Sequence, residues 1–92
     1  MSESAARTVE IVNKRGLHAR ASAKFVKMAS TYDAEVRVTK YGQTVDARSI
    51  MGLMMLAAGI GSSIDIEAEG PEAEQAVAAL AALVECRFEE DR

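Results

Sequence analysis

Four short segments of the chain alternate between apolar and polar residues. In the first, RTVEIV, Val9 and Ile11 fall on one face while Thr8 and Glu10 fall on the other. A period of two is typical of a strand with one buried face. Three later segments alternate in the same way: AEVRVTK (34–40), QTVDA (43–47) and SSIDIEAEG (62–70). Their predicted inward residues are Val36, Val38, Ile64, Ile66 and Ala68. The dipeptide YG between the second and third segments predicts a hairpin turn.

Longer segments place apolar residues three or four positions apart, which predicts amphipathic helices. The first runs from Ala19 to about Tyr32, and its predicted buried stripe comprises Ala21, Phe25, Met28, Ala29 and Tyr32. The last lies within GPEAEQAVAALAALVECRF (70–88), with Pro71 near its first turn. Its predicted buried stripe comprises Ala73, Val77, Leu80 and Val84.

A further helix is predicted within RSIMGLMMLAAGIG (48–61). Ser49 is suited to the N-cap position, and Gly59 to the end of the helix. Leu53 and Leu56 are its expected buried pair. The segment holds more apolar residues than one buried helical face can use, so some of them are expected at the surface.

The order of elements is strand, helix, strand, strand, helix, strand, helix. Since each strand has one apolar face, we expect an antiparallel sheet with all helices on one side. The predicted fold is a two-layer α+β open-faced sandwich. Residues 1–7 are expected to form a flexible polar lead-in, residues 8–88 the domain, and residues 89–92 an acidic tail.

Composition limits where chemistry can occur. The 92 residues are 49% hydrophobic but only 4% aromatic, so the core must consist mainly of aliphatic side chains. A domain of this size holds one modest core and no deep enclosed cleft. A reactive group is therefore expected at the surface.

Net charge and cysteine content restrict the binding partners and the cellular compartment that we expect. The net charge of −3 disfavours general nucleic-acid binding, which needs a basic face. No apolar run is long enough to cross a bilayer, and MSESAAR lacks the pattern of a secretory signal. The single cysteine, Cys86, cannot form an internal disulfide, which suits a reducing compartment. We expect a cytoplasmic monomer without metal, cofactor, nucleic acid or membrane insertion.

The only histidine, His18, lies between the first predicted strand and the first predicted helix. Its default interpretation is a surface or capping residue. The free N–H groups and dipole of a helix start disfavour a cation, however, and so favour a neutral, nucleophilic imidazole. A phosphoryl group accepted there would meet the backbone N–H groups of Ala19, Arg20 and Ala21 and the Arg20 guanidinium. The segment shows no site for a substrate of its own, which favours a carrier over an enzyme.

The residues GLHARASAKFV, followed by RSIMGLMMLAAGIGSSIDIEAEGPEAEQAVAALAALV, closely resemble HPr, the histidine-containing phosphocarrier of the bacterial phosphoenolpyruvate-dependent phosphotransferase system. The resemblance covers about residues 8 to 88, and Gly16, His18 and Arg20 fall at the family's motif positions. It implies a sheet order of 1-4-2-3. It also implies that enzyme I phosphorylates His18 at Nδ1, that Arg20 stabilises the phosphoryl group, and that an enzyme IIA component receives it.

Position 21 departs from the family pattern, which usually has proline after the arginine. Proline presets a helical φ and lacks an N–H group, whereas alanine favours the helix and restores a donor. We expect phosphoryl acceptance to survive with Ala21, and the helix start to be slightly more mobile.

The resemblance adds a regulatory site and a docking surface. SIMG at 49–52 is similar to the segment that HPr kinase/phosphorylase modifies, which makes Ser49 a candidate phosphorylation site besides a helix cap. Methionine adapts to several partners. Basic side chains can steer a carrier towards acidic ones. The expected docking residues are Ile50, Met51, Met54, Lys24, Lys27 and Arg48.

Two other functions remain open from the sequence. The chain can be a regulatory protein of a nitrogen-type phosphotransferase system, acting through binding that depends on phosphorylation rather than through sugar transport. It can also be a structural or ligand-sensing domain with an incidental histidine, which the arrangement of Gly16, His18 and Arg20 disfavours.

Overall fold

The computed structural model describes residues 3 to 89. Its strands are β1 (Ser4–Glu10), β2 (Glu35–Lys40), β3 (Gln43–Asp46) and β4 (Ser63–Glu69). Its helices are α1 (Ala19–Ala29), α2 (Ile50–Met55) and α3 (Ala73–Glu85), followed by a single turn at Arg87–Glu89. This order of elements confirms the one predicted from the pattern.

The four strands form one antiparallel sheet in the order β1-β4-β2-β3. Helix α3 packs on β1, β4 and β2, while α1 packs against α2 and α3. The inward residues predicted from the alternation are all buried. The predicted open-faced α+β sandwich, with three helices on one face and the implied strand order, is therefore confirmed.

The start of the domain differs from the prediction. Residues 4 to 7 belong to β1, where Ser4 is paired with Glu69 and Arg7 with Ile66 of β4. The segment SAAR has little apolar alternation of its own, and the neighbouring strand supplies its order. The predicted lead-in is thus wrong for these four residues. Of the predicted tail, Glu89 ends the last turn, and residues 90 to 92 lie outside the described range.

Two helices end earlier than predicted. Helix α1 stops at Ala29 rather than near Tyr32. Helix α2 stops at Met55, and Ala57 has a φ of 51°, so Gly59 does not end this helix. A lysine from the hairpin binds the carbonyl oxygens of Leu56 and Ala57, which a longer helix would use for its own hydrogen bonds.

The start of the third helix agrees with the prediction that Pro71 lies near its first turn. Glu72 is the N-cap of this helix, and Pro71 directly precedes that residue. Its predicted buried stripe is confirmed, as is the burial of Leu53 and Leu56 under α2. In α1 the predicted positions Ala21, Phe25 and Ala29 are buried, and Met28 and Tyr32 are half-buried against them. The core fixes the orientation of α1, whose N-terminal end carries the only histidine.

Candidate functional site

His18 is the N-cap of α1. Its backbone is extended, with φ −75° and ψ −179°, and its carbonyl oxygen accepts a hydrogen bond of 2.8 Å from the Ser22 amide. The ring nitrogen Nδ1 accepts a hydrogen bond of 3.2 Å from the Arg20 amide. An N–H donor can bind only a nitrogen with a lone pair, so this geometry fits a His18 whose Nδ1 carries no proton. The ring is half-exposed.

The loop before α1 fixes where His18 lies. Gly16 has a φ of +65°, and a Cβ atom there would lie 2.3 Å from the Ala58 carbonyl oxygen. Leu17 donates its amide to the same oxygen at 2.9 Å, and the Asn13 side-chain amide donates to the Gly16 carbonyl at 2.9 Å. Glycine is needed for both the turn and the close approach. The segment after α2 therefore supports the backbone that leads into His18.

Arg20 lies in the first turn of α1 with an exposed side chain. Its guanidinium makes no hydrogen bond or ion pair with the rest of residues 3 to 89. Of the three backbone N–H groups predicted to hold a phosphoryl group, the Arg20 amide is bonded to His18 Nδ1. Across the same range, the amides of Ala19 and Ala21 have no acceptor. The first turn of α1 thus provides N–H donors and one cation around the histidine.

The exposed apolar surface of α2 includes the three residues predicted for docking. Ile50, Met51 and Met54 are all exposed, with Met51 at 69%. The sequence prediction missed Met55, which is 67% exposed, and Ile60, which is also exposed. The signal for Met55 was present in the excess of apolar residues in IMGLMML. Because α2 packs against α1, the helix that carries this apolar surface is a neighbour of the helix capped by His18.

The predicted basic residues do not form one cluster. The Lys24 ammonium donates to the Phe88 carbonyl at 2.7 Å and lies 3.8 Å from Glu89, while Lys27 is exposed in the last turn of α1. The Arg48 guanidinium donates to the carbonyl oxygen of Ala34, which follows the C-terminal end of α1. Arg48 therefore lies towards the opposite end of α1 from His18, apart from Arg20 and Lys24.

Ser49 is the N-cap of α2, as predicted. Its hydroxyl oxygen accepts a hydrogen bond of 2.9 Å from the Gly52 amide, and its side chain is half-buried. It lies at the start of α2, whereas Ala58, which supports the histidine loop, lies beyond the end of that helix. The two capping residues His18 and Ser49 thus belong to neighbouring helices.

Comparison with known proteins identifies the family. A family model described as the PTS HPr component phosphorylation site matches residues 5–86. The chain belongs to the HPr family. It is therefore a phosphocarrier of the phosphotransferase system, as the sequence motif predicted.

Individual relatives are similar in sequence to this chain over nearly its whole length. The phosphocarrier protein HPr of Cupriavidus necator is 51% identical over 84 residues, covering 91% of this chain and 94% of the relative. The phosphocarrier protein NPr of Shewanella violacea is 42% identical, covering 91% and 92%. A crystal structure of HPr-C-His from Thermoanaerobacter tengcongensis is 42% identical with a TM-score of 0.91, covering 96% of this chain and 99% of that one.

Within residues 3 to 89 of this HPr-family chain, no helix is long and apolar enough to cross a membrane. The same range contains no group of three or more histidine, cysteine, aspartate or glutamate side chains placed to hold a metal ion.

Proposed function

We propose that the chain accepts a phosphoryl group from phospho-enzyme I on Nδ1 of His18 and transfers it to an enzyme IIA component. The observation that carries this proposal is the hydrogen bond of 3.2 Å from the Arg20 amide to Nδ1 at the start of α1. That contact aims the lone pair of the nitrogen at a helix N-terminus, where a phosphoryl group is stabilised once it arrives.

In the first transfer, the Nδ1 lone pair forms a bond to phosphorus while the bond between phosphorus and its donor atom on enzyme I breaks. The electron pair of the broken bond stays with the donor. Nδ1 must leave the Arg20 amide for this step, and that N–H group then becomes available to a phosphoryl oxygen. The exposed Arg20 guanidinium supplies positive charge for the added anion.

The second transfer reverses the first with another partner. The Nδ1–phosphorus bond breaks, its electron pair returns to the His18 ring, and a nucleophile of enzyme IIA takes the phosphoryl group. Besides His18 and Arg20, no side chain within residues 3 to 89 is assigned a catalytic part in this proposal, so the partners must supply the remaining machinery. This division of labour favours a carrier rather than a catalyst.

Docking is proposed to use the apolar surface of α2 with basic residues of α1. Exposed methionines suit a surface that must bind two different partners in turn. Lys27 and Arg20 are free of described ion pairs and are suited to steering acidic partners, whereas Lys24 already contacts the C-terminal turn. Arg48, bonded to Ala34, is the weakest member of the predicted set.

Ser49 is proposed as a regulatory phosphorylation site, served by an HPr kinase/phosphorylase where one is present. Its oxygen already accepts a hydrogen bond from the Gly52 amide, and a phosphate there would keep favourable contacts with the helix start. The fold should therefore tolerate the modification. The added negative charge would lie beside Ile50 and Met51 and would weaken binding of acidic partners.

The similarity to the NPr protein of Shewanella violacea supports a second candidate function. In it, the same His18 chemistry serves a nitrogen-type phosphotransferase system, and the output is regulatory binding that depends on phosphorylation. Pull-downs with the unmodified protein and with each phosphorylated form would separate a relay, which binds enzyme IIA transiently, from a regulator, which retains other targets.

The carrier proposal is tested by incubating the chain with enzyme I and phosphoenolpyruvate. We expect an adduct that is labile in acid and stable in base, as a phosphohistidine is. His18→Ala should give none, and adding enzyme IIA should discharge the adduct. An adduct that persists in His18→Ala, or none in the parent chain, would refute the proposal.

A further inference from the structure

Lys40, at the end of β2, joins the hairpin to the C-terminal end of α2. Its ammonium donates to the carbonyl oxygens of Leu56 at 3.2 Å and Ala57 at 3.1 Å. Carbonyl groups at the end of a helix carry partial negative charge and lack helical partners, so a cation there is stabilising. The Lys40 side chain is half-buried, which strengthens both bonds.

The segment that Lys40 binds has an unfavourable backbone conformation. Ala57 has a φ of 51°, in the left-handed region that residues with a Cβ atom rarely adopt. The chain turns there to leave α2 and to bring Ala58 against the histidine loop. Two charged hydrogen bonds to the carbonyls of Leu56 and Ala57 hold this turn in place.

Ala58 is the contact through which the turn reaches the reactive histidine. Its carbonyl oxygen accepts the Leu17 amide at 2.9 Å and lies so close to Gly16 that no Cβ atom fits between them. Leu17 directly precedes His18, whose backbone begins α1. A displaced Ala58 would therefore displace the N-cap of α1.

We propose that Lys40 is a positioning residue for phosphoryl acceptance at His18. It touches neither the histidine nor the phosphoryl group. It fixes the turn after α2, the turn fixes the Ala58 carbonyl, and that carbonyl holds the backbone that leads into the N-cap. The inference rests on the proposed function, because it assigns Lys40 a part in that reaction.

Two other roles of Lys40 would leave different signatures. If Lys40 only steered enzyme I, its replacement would change KM, and this effect would disappear in high salt. If Lys40 only stabilised the domain, its replacement would raise hydrogen exchange throughout the core. The ring of Tyr41, whose centroid lies 5.2 Å from the Lys40 ammonium, provides a third contact that can be removed alone.

The test compares Lys40→Met with Lys40→Arg and with two controls. Tyr41→Ala removes the ring contact but leaves both carbonyl bonds. Arg7→Met removes one exposed positive charge from β1, the edge strand furthest from β3. Hydrogen exchange of the Leu17 amide is measured by NMR, with Ile66 in β4 as the reporter of global unfolding. Phosphorylation by enzyme I is measured at low and high salt to obtain kcat and KM.

In Lys40→Met we expect the Leu17 amide to exchange about tenfold faster while that of Ile66 is unchanged. We expect kcat to fall by about three- to tenfold at both salt concentrations with KM within about twofold, since the docking surface is intact. Lys40→Arg should restore both quantities, and the two controls should match the parent chain.

Unchanged exchange of Leu17 in Lys40→Met would overturn the proposal. A rise in KM that vanishes in high salt, faster exchange at Ile66, or failure of Lys40→Arg to restore kcat would overturn it as well. If enzyme I does not phosphorylate even the parent chain, the proposed function fails. The Leu17 exchange would still decide whether Lys40 holds the histidine loop.

Discussion

The first two helices of this chain are both capped by a side chain, but with different chemical groups. At α1, the Arg20 amide donates to the imidazole Nδ1 of His18 at 3.2 Å. At α2, the Gly52 amide donates to the hydroxyl oxygen of Ser49 at 2.9 Å. Both capping residues have extended backbones and half-buried side chains. The structural task is the same, because each satisfies one N–H group that a helix start leaves unpaired.

The two capping atoms differ in their reactivity once the hydrogen bond to the helix is broken. An imidazole nitrogen is a nucleophile in its neutral form, whereas a serine hydroxyl needs a base to activate it. The exposed Arg20 follows His18 by two residues, while the first turn of α2 is uncharged. A helix N-cap is thus a favourable place for phosphate in both helices. In the proposed function the acceptor atom therefore belongs to the cap of α1, because the His18 nitrogen needs no activating base.

The largest effect is expected from replacing the imidazole at the N-cap of α1, which should abolish phosphorylation but leave stability almost unchanged. In His18→Asn, an amide oxygen can still accept the Arg20 amide, so we expect the free energy of unfolding to stay within about 0.5 kcal/mol of the parent value. Phosphorylation by enzyme I should be lost completely. Urea unfolding and adduct formation measure the two effects, and a base-stable phosphoryl adduct on the His18→Asn variant would contradict the assignment.

Gly16, in the loop that supports His18, should tolerate substitution far less well than a glycine elsewhere in the chain. In Gly16→Ala, a new Cβ atom would lie 2.3 Å from the Ala58 carbonyl oxygen at a φ of +65°. We expect a loss of about 3 kcal/mol in stability together with slower phosphorylation. Gly42→Ala is the matched control, because Gly42 has a φ of +79° but nothing within 4 Å. It should lose about 1 kcal/mol, and equal losses at both positions would contradict the packing argument.

At the N-cap of α2, two substitutions of Ser49 should change the stability of the domain and the rate of its phosphorylation independently. Ser49→Ala should cost about 1 kcal/mol, because the Gly52 amide loses its acceptor, with little effect on phosphorylation by enzyme I. Ser49→Asp keeps an acceptor and should retain stability, yet its charge should slow phosphorylation by about tenfold. Transfer kinetics that are the same in both variants would remove the regulatory role of Ser49.

The smallest effect is expected at Ala21, where relatives of the family usually have proline. The Ala21 amide has no acceptor within residues 3 to 89, so proline removes no described hydrogen bond. We expect Ala21→Pro to change the phosphorylation rate by less than about twofold and to reduce exchange in the first turn of α1. A gain in rate of orders of magnitude would show that alanine impairs the site.

Much of the architecture was predictable from local patterns. Val36 and Val38 of β2, for example, alternate with polar neighbours, and successive side chains of a strand point to opposite faces. The Ser49 cap and the buried Leu53 likewise follow from spacing and residue type. The sheet order was different, since only the resemblance implied it. Strand alternation does not say which strands are neighbours.

The basic residues show why the candidate docking surface was harder to predict. Long side chains reach partners that lie far away in the sequence. Lys24 binds the carbonyl of Phe88, and Arg48 binds that of Ala34, so neither is an unattached charge beside His18. Sequence spacing places such residues on a helix face but does not say where their charged ends lie.

By itself, the sequence determined the order of elements, the buried faces, the two caps and the motif of Gly16, His18 and Arg20, because these depend on residue type and short-range geometry. Tertiary structure alone decided that β1 begins at Ser4 and that α2 ends at Met55. It also decided that Lys40 binds the turn supporting the histidine. Each of these depends on groups distant in the chain: β4 pairs with the first residues, and the Lys40 ammonium takes carbonyls that would otherwise continue the helix.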